Sequence, residues 1–311
     1  MQRFAGQIWA MPYLLLTFTA LFWAGNSIVA RGAYGLVPPV ALSFWRWTLA
    51  LLLVLPLAWP HLRRDADALR GAWPMLVLLG VLGIGAFNTI LYMGLQTTTA
   101  VNSVLLQSLQ PGLILLMGVL LFGERTRFLQ LVGVAISLAG ALIIISKADL
   151  RVVLGLAFNG GDLIIMTAVV IWSLYSVLLR KGPKVHPLSF LAVTFAVGVV
   201  SVLPFYLAEV ASGRLIENRT GSWLAIGYVC IFPSFLANLC FNRGVALIGS
   251  SAVGLYMNIL PVMGAVLAAV FLGEAIRPFH LAGMGLIGAG IVCARLRPKR
   301  GPKRGEAGPF G

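Results

Sequence analysis

Two stretches of the sequence decide the fold: QPGLILLMGVLLFGERTRF at residues 110–128 and LPVMGAVLAAVFLGEAIRP at residues 260–278. In each stretch a proline is followed twelve residues later by Gly-Glu, and an arginine stands three residues after the glutamate. The two stretches lie 150 residues apart, and the same shift superposes other uncommon residues: Trp73 on Trp223, Asn88 on Asn238, Gly94 on Gly244, Gly133 on Gly283 and Gly140 on Gly290. This spacing predicts that the chain consists of two halves built from one repeated unit.

The composition is that of a membrane protein. Hydrophobic residues make up 59% of the chain and charged residues only 10%, with a mean hydropathy of +0.95. A soluble domain carries about a quarter charged residues, so a soluble enzyme and a disordered chain are both excluded. A spanning helix needs about 20 apolar residues. Apolar runs of about this length occupy residues 11–31, 40–59, 73–94, 100–122, 128–146, 162–180, 187–208, 222–243, 250–272 and 278–295.

The sequence therefore predicts an all-α integral membrane protein with ten transmembrane helices arranged as two inverted five-helix repeats. Each half contains five runs, an odd number, so the second half enters the membrane from the opposite side. Secondary transporters are built in this way, with the binding site near the midplane between the repeats. We assign the first repeat to residues 1–146, the second to residues 147–296 and a basic, disordered tail to residues 297–311.

The positive charges predict the orientation of the chain. With the N-terminus in the cytoplasm, the cytoplasmic loops and tail collect 16 of the 23 Lys and Arg residues, and the other side collects 6. Short cytoplasmic loops are enriched in Lys and Arg, so both termini are expected in the cytoplasm. The net charge of +14 is thus explained by topology and by attraction to anionic lipid, and no nucleic-acid partner is expected.

The repeated segments also carry a family resemblance. The segments Gly94–Gly140 and Gly244–Gly290, together with the stretch from Trp172 to Arg180, resemble the EamA-type family of the drug/metabolite transporter superfamily. The resemblance covers residues 12–296 and implies a ten-helix carrier in a bacterial cytoplasmic (inner) membrane. Many bacterial members export amino acids or related metabolites, and the chain is also similar in character to aromatic amino-acid exporters of the family. The motifs themselves carry no information about the substrate.

Polar and aromatic side chains recur at matching positions inside the apolar runs, where they are costly unless they face the bundle interior or a wet cavity. Trp23 and Trp172 superpose with a shift of 149, and each is followed three and four places on by polar residues of the same helix face. The alternative is that such side chains only bond one helix to another. We predict a cavity whose substrate-binding residues are Trp23, Asn26, Asn88, Tyr92, Gln107, Trp172, Tyr175, Asn238, Asn242, Tyr256 and Asn258.

Four further features have two interpretations each. Pro111 and Pro261 lie within apolar runs, where each removes a backbone hydrogen bond, and we predict hinges there, with static kinks as the alternative. Glu124 and Glu274 are expected to pair with the arginine three residues on or to fasten tight turns. Arg46 lies about six residues inside its run and is expected to snorkel to the outer interface, with an anion contact as the alternative.

No catalytic residue, metal ligand or cofactor site is expected. The histidines lie in loops, the cysteines lack metal spacing, and no acidic residue is central in a run; only Asp162 could titrate during transport. The predicted function is the export of small metabolites by alternating access. The first candidates for the substrate are amino acids with aromatic or apolar side chains. Export of hydrophobic drugs or of other metabolites is the alternative, and a channel or an intramembrane enzyme is more remote. The sequence leaves the exact substrate, the coupling ion and the oligomeric state open, and a monomer is compatible with it.

Overall fold

The computed structural model describes residues 8–32, 35–98, 100–124, 126–149, 151–152, 159–272 and 277–295. Within these ranges every regular element is helical. Seven helices are long and apolar enough to cross a membrane, and shorter apolar helices accompany them. The predicted all-helical membrane architecture is therefore confirmed at this level. The tail at residues 297–311 and Glu274 lie outside the described residues.

The helices follow one another with short connections. A short helix, Ala66–Gly71, lies between α2 and α3. The others are α1 Pro12–Gly32, α2 Pro39–Arg64, α3 Trp73–Gly94, α4 Ala100–Gln107, α5 Gln110–Phe122, α6 Phe128–Ser146, α7 Gly160–Lys181, α8 Pro187–Ala211, α9 Thr220–Ile248, α10 Ser250–Tyr256, α11 Leu260–Leu272 and α12 Pro278–Arg295.

The fourth and ninth apolar runs are interrupted helices. The fourth divides into α4 and α5 at Ser108-Leu109, and the ninth divides into α10 and α11 at a 3₁₀ turn, Met257–Ile259. Pro111 and Pro261 stand at the start of the second segment in each run. A proline lacks an N–H group and its ring clashes with the carbonyl four residues earlier, so the preceding turn cannot remain α-helical. Both prolines therefore follow an interruption of the α-helix; hinge motion at them stays a prediction.

Helices α3 and α9 each contain one π-helical segment, at Gly80–Ala86 and Cys230–Leu236. The two segments lie 150 residues apart, at superposed positions of the two halves. In α9 the cause is local, because Pro233 sits inside the segment and cannot donate to a helical bond. In α3 the segment is rich in glycine, and a Cβ atom at Gly80 would lie 2.7 Å from the Val197 side chain of α8. π-Helical segments are frequent at functional sites.

Close contacts between small residues hold α6 against α12. A Cβ atom added at Gly133 would lie 2.6 Å from the carbonyl oxygen of Gly290, and one at Gly140 would lie 2.7 Å from that of Gly283. Such stripes of small residues let helix backbones approach where lipid gives no hydrophobic driving force. Other contacts join α1 with α9, α3 with α7 and α2 with α8, and these helices enclose the main buried core.

Candidate functional site

A cluster of aromatic rings lies where α1, α3, α7 and α9 meet. The Trp172 ring is 4% exposed and lies 5.2 Å from that of Trp23, 5.3 Å from that of Phe241 and 4.6 Å from that of Phe87, measured between centroids. Tyr175 packs on Trp172 at 5.1 Å from one helical turn further on. Aromatic pairs at these separations attract one another beyond their burial. The cluster is an apolar wall built by residues far apart in the sequence.

Polar groups border this wall along the π-helical segment of α9. The carbonyl oxygen of Pro233 accepts hydrogen bonds from Trp23 Nε1 at 3.1 Å and from Asn238 Nδ2 at 3.2 Å. The Oδ1 atoms of Asn238 and Asn26 are buried, and no donor in the described part of the chain contacts them. A buried acceptor without a partner costs about 1–3 kcal/mol. Two such oxygens beside an aromatic cluster are suited to receive donors from a ligand.

Arg46 of α2 is buried, with 2% of its surface exposed, so its expected snorkelling to the outer interface is wrong. Its Nε donates to Ser234 Oγ at 2.8 Å, and its Nη1 donates to Asn88 Oδ1 at 3.1 Å and to Tyr92 OH at 2.6 Å. Hydrogen bonds to these neutral acceptors keep the guanidinium inside the helix bundle, although water at the interface would solvate its charge. Asn88 and Tyr92, both predicted site residues, thus lie in a network that joins α2, α3 and α9.

A cavity of about 830 Å³ opens at the ends of α7 and α9 and the start of α8. Basic side chains line it, from Arg180, Lys184 and Arg243, and Asn242 lies in its wall. Asn242 Oδ1 accepts a hydrogen bond from Tyr175 OH at 3.1 Å, while its Nδ2 is buried without a partner among the described residues. Asn242 therefore connects the cavity with the aromatic cluster.

Three predicted site residues lie in helix contacts instead of this cluster. Gln107 Nε2 donates to Ser103 of its own helix, at 3.3 Å to the carbonyl oxygen and 3.2 Å to Oγ. Asn258 Nδ2 donates to Ser137 Oγ of α6 at 2.8 Å. Tyr256 OH forms a 2.8 Å hydrogen bond with Thr17 of α1. For Asn258 and Tyr256 the contacts favour the bonding of one helix to another, and for Gln107 they favour a bond within α4.

Glu124 pairs with Arg180 of α7, and Ser251 Oγ of α10 donates to its other oxygen at 3.0 Å. The predicted pairing of Glu124 with Arg127 is wrong, because the chain turns at Gly123, whose φ of +63° ends α5 and carries the carboxylate towards α7. The Arg180 guanidinium also lies 4.5 Å from the ring of Phe122. Glu124 thus joins the two halves of the chain beside the cavity.

Asp162 is buried and satisfied by donors. Its carboxylate accepts hydrogen bonds from the Thr98 hydroxyl, from Asn102 Nδ2 at 3.1 Å and from the backbone N–H of Asn159 at 2.7 Å. The Asp162 N–H in turn donates to Asn159 Oδ1 at 3.2 Å, which completes a capping box at the start of α7. These contacts favour a structural role that fastens the α3–α4 connection to α7; its titration during transport stays a prediction.

Two histidine rings stack at the junction of α2 and α8. The His61 and His186 ring centroids lie 3.5 Å apart with the planes at 2°, and the backbone N–H of His186 donates to Asp65 Oδ2 at 2.9 Å. Burial lowers the pKa of His186, and the neighbouring charge of His61 lowers this pKa further, against the opposing effect of Asp65. Among the residues that the structure describes, no group of three or more His, Cys, Asp or Glu could hold a metal ion.

Phe87 and Phe241 could not be predicted as members of the cluster, because a phenylalanine in an apolar run gives no signal that distinguishes it from a packing residue. Arg46 was identifiable from the sequence, but the interface was the wrong place for it. An arginine inside an apolar run was itself the available signal, since a charge within a span is a functional candidate by default. What the sequence could not supply was the set of acceptors around it, which come from two other helices.

Comparisons with known proteins agree with this architecture. The chain is 29% identical over 285 residues to the uncharacterized transporter YyaM of Bacillus subtilis (strain 168), a match covering 91% of this chain and 92% of that protein. It is 25% identical over 258 residues to the aromatic amino acid exporter YddG of Ancylobacter novellus, covering 82% and 87% of the two chains. A solved crystal structure with 23% identity superposes with a TM-score of 0.75, covering 91% of this chain and 96% of that one, and so shares the fold.

The protein is a bundle of long apolar helices that buries amides and an arginine around an aromatic cluster. Its relatives are transporters, and the chain is therefore a multi-span membrane transporter. The profile of the EamA-like transporter family matches residues 10–146 and again residues 159–296. The chain belongs to this family, as the repeated motifs predicted.

Proposed function

We propose that the protein exports amino acids, with a preference for aromatic and apolar side chains, from the cytoplasm by alternating access. The observation that carries this proposal is the contact of Trp23 with Trp172 beside amide side chains that each bury one polar atom without a partner among the described residues. Aromatic rings suit an aromatic side chain, and open amide groups suit the ammonium and carboxylate of a zwitterion. The names of relatives support it too, including a "Probable terminal-alkyne amino-acid exporter" of Streptantibioticus cattleyicolor, 26% identical over 294 residues and matched over 93% of both chains.

The mechanism rests on the proposed organisation as ten spans in two inverted repeats, residues 1–146 and 147–296. Support comes from the two matches to one family profile, from the superposed π-helical segments and from contacts that recur with the halves exchanged, α1 with α9 and α7 with α3. In this organisation Trp23 and Trp172 belong to different repeats. Movement of one repeat against the other would open the cluster to either side of the membrane in turn.

The orientation belongs to the proposal as well: an inner-membrane protein with both termini in the cytoplasm, so that the cavity beside Arg180 faces the cytoplasm. A test uses single cysteines placed next to Glu124 and next to Glu274, treated with an impermeant thiol reagent on whole cells. On this topology only the cysteine beside Glu274 is labelled from outside. Labelling of both contradicts the inverted arrangement, whereas labelling of the one beside Glu124 alone contradicts the orientation.

Hydrophobic drugs are the second candidate substrate class, because an aromatic wall would also bind them. The basic lining of the cavity favours the first candidate, since Arg180, Lys184 and Arg243 repel lipophilic cations and attract carboxylates. Counterflow into proteoliposomes, measured for each amino acid and for several lipophilic cations, separates the two. We expect flux of aromatic and large apolar amino acids. Cation flux without amino-acid flux would overturn the proposal.

A further inference from the structure

The guanidinium of Arg46 is a buried positive charge without a negative partner in the described part of the chain. Its hydrogen-bond acceptors are a hydroxyl, an amide oxygen and a phenol, and its Cζ lies 4.7 Å from the centroid of the Trp47 ring. The ion pairs found in the described residues use other arginines. An unpaired charge within a membrane span is costly. A structural link between helices could be made by neutral side chains at lower cost, so the retained charge points to a ligand.

One edge of this guanidinium is left open. Arginine carries five N–H groups, and Nε and Nη1 direct theirs to Ser234, Asn88 and Tyr92. Nη2 contacts no acceptor among the described residues. Ser234 cannot turn away, because its hydroxyl donates to the carbonyl oxygen of Val229 at 2.7 Å and so must accept from Arg46. The network therefore fixes the guanidinium plane and leaves Nη2 as two donors without a partner.

The open edge belongs to the same segment of α9 as the aromatic cluster. Pro233 accepts from Trp23 Nε1, and the next residue, Ser234, accepts from Arg46 Nε. Asn238, one turn further, leaves an acceptor oxygen unpaired. A charged donor, an unpaired acceptor and an aromatic wall thus lie around one π-helical segment. They match the carboxylate, the ammonium and the side chain of an aromatic amino acid.

We propose that Arg46 binds the substrate carboxylate through Nη2 and that this contact makes the carrier select acids over their amides and amines. The inference rests on the proposed function. In the described conformation the guanidinium is covered by α9, which carries Ser234 and belongs to the other proposed repeat from α2 and α3. The same movement that opens the aromatic cluster would then uncover Arg46.

The test compares the binding of L-phenylalanine and L-phenylalaninamide, in which a neutral amide replaces the carboxylate, at a pH low enough that both α-amino groups are protonated. Binding is measured by competition against labelled phenylalanine and by thermal shift of the purified protein. A charge-assisted hydrogen bond contributes about 1.5–3 kcal/mol, which corresponds to about a tenfold or greater preference of the wild type for the acid. In Arg46→Gln the affinity for phenylalanine should fall by about tenfold or more, with the affinity for the amide within about twofold. Arg219→Gln is the control, because Arg219 is exposed and pairs with Glu217.

Each outcome supports or contradicts the binding of the substrate carboxylate by Arg46. Equal losses of both ligands in Arg46→Gln, or no loss of either, would mean that Arg46 only holds helices together. Should Arg46→Gln not fold, Arg46→Lys keeps the charge but cannot span the network and the carboxylate, so it should lose the acid preference as well. A wild type that binds acid and amide equally overturns this inference and leaves the proposed function intact. A wild type that neither binds nor transports any amino acid overturns both.

Discussion

Trp23 and Trp172 meet edge to face, with ring centroids 5.2 Å apart and ring planes at 79°, although they stand 149 residues apart in the sequence. They occupy superposed positions of the two halves, so their contact lies where the proposed repeats meet. Trp23 also donates to Pro233 of α9, and Trp172 packs on Phe241 of the same helix. The two rings therefore form a junction between α1, α7 and α9, and a movement of one half against the other must change it.

The first prediction concerns the aromatic wall. Trp172→Leu should lower the transport of phenylalanine several-fold more than that of alanine, because a ring pair adds about 0.5–1.5 kcal/mol that a small side chain does not use. Trp73→Leu is the matched control, since Trp73 is 52% exposed, against 4% for Trp172. Initial rates in proteoliposomes, normalised to folded protein, measure the ratio. An unchanged phenylalanine-to-alanine ratio in Trp172→Leu would show that the cluster only packs helices.

The second prediction concerns the ion pair of Glu124 and Arg180. Both side chains are partly exposed, so solvent screens the pair and its coupling should be about 0.5–1 kcal/mol. Glu124→Arg should lower the melting temperature through repulsion between two arginines, and the double variant Glu124→Arg, Arg180→Glu should recover part of the loss. Thermal unfolding of the four proteins gives the coupling energy. Additive effects, with no recovery in the double variant, would contradict a direct pair.

The third prediction uses two glycines of the same helix. A Cβ atom at Gly283 would lie 2.7 Å from the carbonyl oxygen of Gly140, whereas one at Gly285 would meet nothing within 4 Å. Gly283→Ala should therefore destabilise the protein by about 1–3 kcal/mol through overpacking of α12 on α6. Gly285→Ala should be neutral or stabilise by up to about 1 kcal/mol, because alanine favours the helix. Unfolding measured in detergent compares them, and similar values for both would refute the close packing.

The fourth prediction concerns pH. The pKa of His186 is lower in the folded protein than in the unfolded chain, where it is about 6.5, so the unfolded chain binds the proton at the higher pH. Stability should therefore be full above that value and should fall as the pH drops through about 6.5 towards the folded pKa. Besides His61 and Asp65, the cavity that His186 borders is lined by the charged side chains of Arg180, Lys184 and Arg243.

Melting temperatures between about pH 7.5 and 5.5 measure this decline. His186→Asn keeps a side chain that can cap the start of α8 but does not titrate, so its decline should be smaller than that of the wild type. His280→Gln serves as the control, because His280 lies at the start of α12 and stacks on Phe279. If the melting temperature of His186→Asn declined as much as that of the wild type, a group other than His186 would be taking up the proton.

Much of the fold could be predicted because the physics involved is local. Runs of about 20 apolar residues must become helices in a bilayer, since only a helix satisfies every backbone group within one segment. The prolines at 111 and 261 predicted a kink in each run, and the structure interrupts the α-helix just before each proline, by a two-residue turn at Ser108-Leu109 and by a 3₁₀ turn at Met257–Ile259. The candidate site was predicted only in part. The spacing of its polar residues showed which of them share one face of a helix, but it could not show which side chains on other helices they contact.

By itself, then, the sequence determined the helical membrane class, the family and the residues that are too polar to face lipid. Its glycine stripes also indicated that α6 and α12 pack closely against other helices. Only the tertiary structure decided which of these residues meet. Arg46 forms a hydrogen bond with Ser234, which lies 188 residues further along the chain, and Asn258 donates its hydrogen bond to Ser137 and not to the aromatic cluster. Helical periodicity fixes the face on which a side chain lies, but the neighbour opposite that face is set by helix packing, to which side chains from the whole chain contribute.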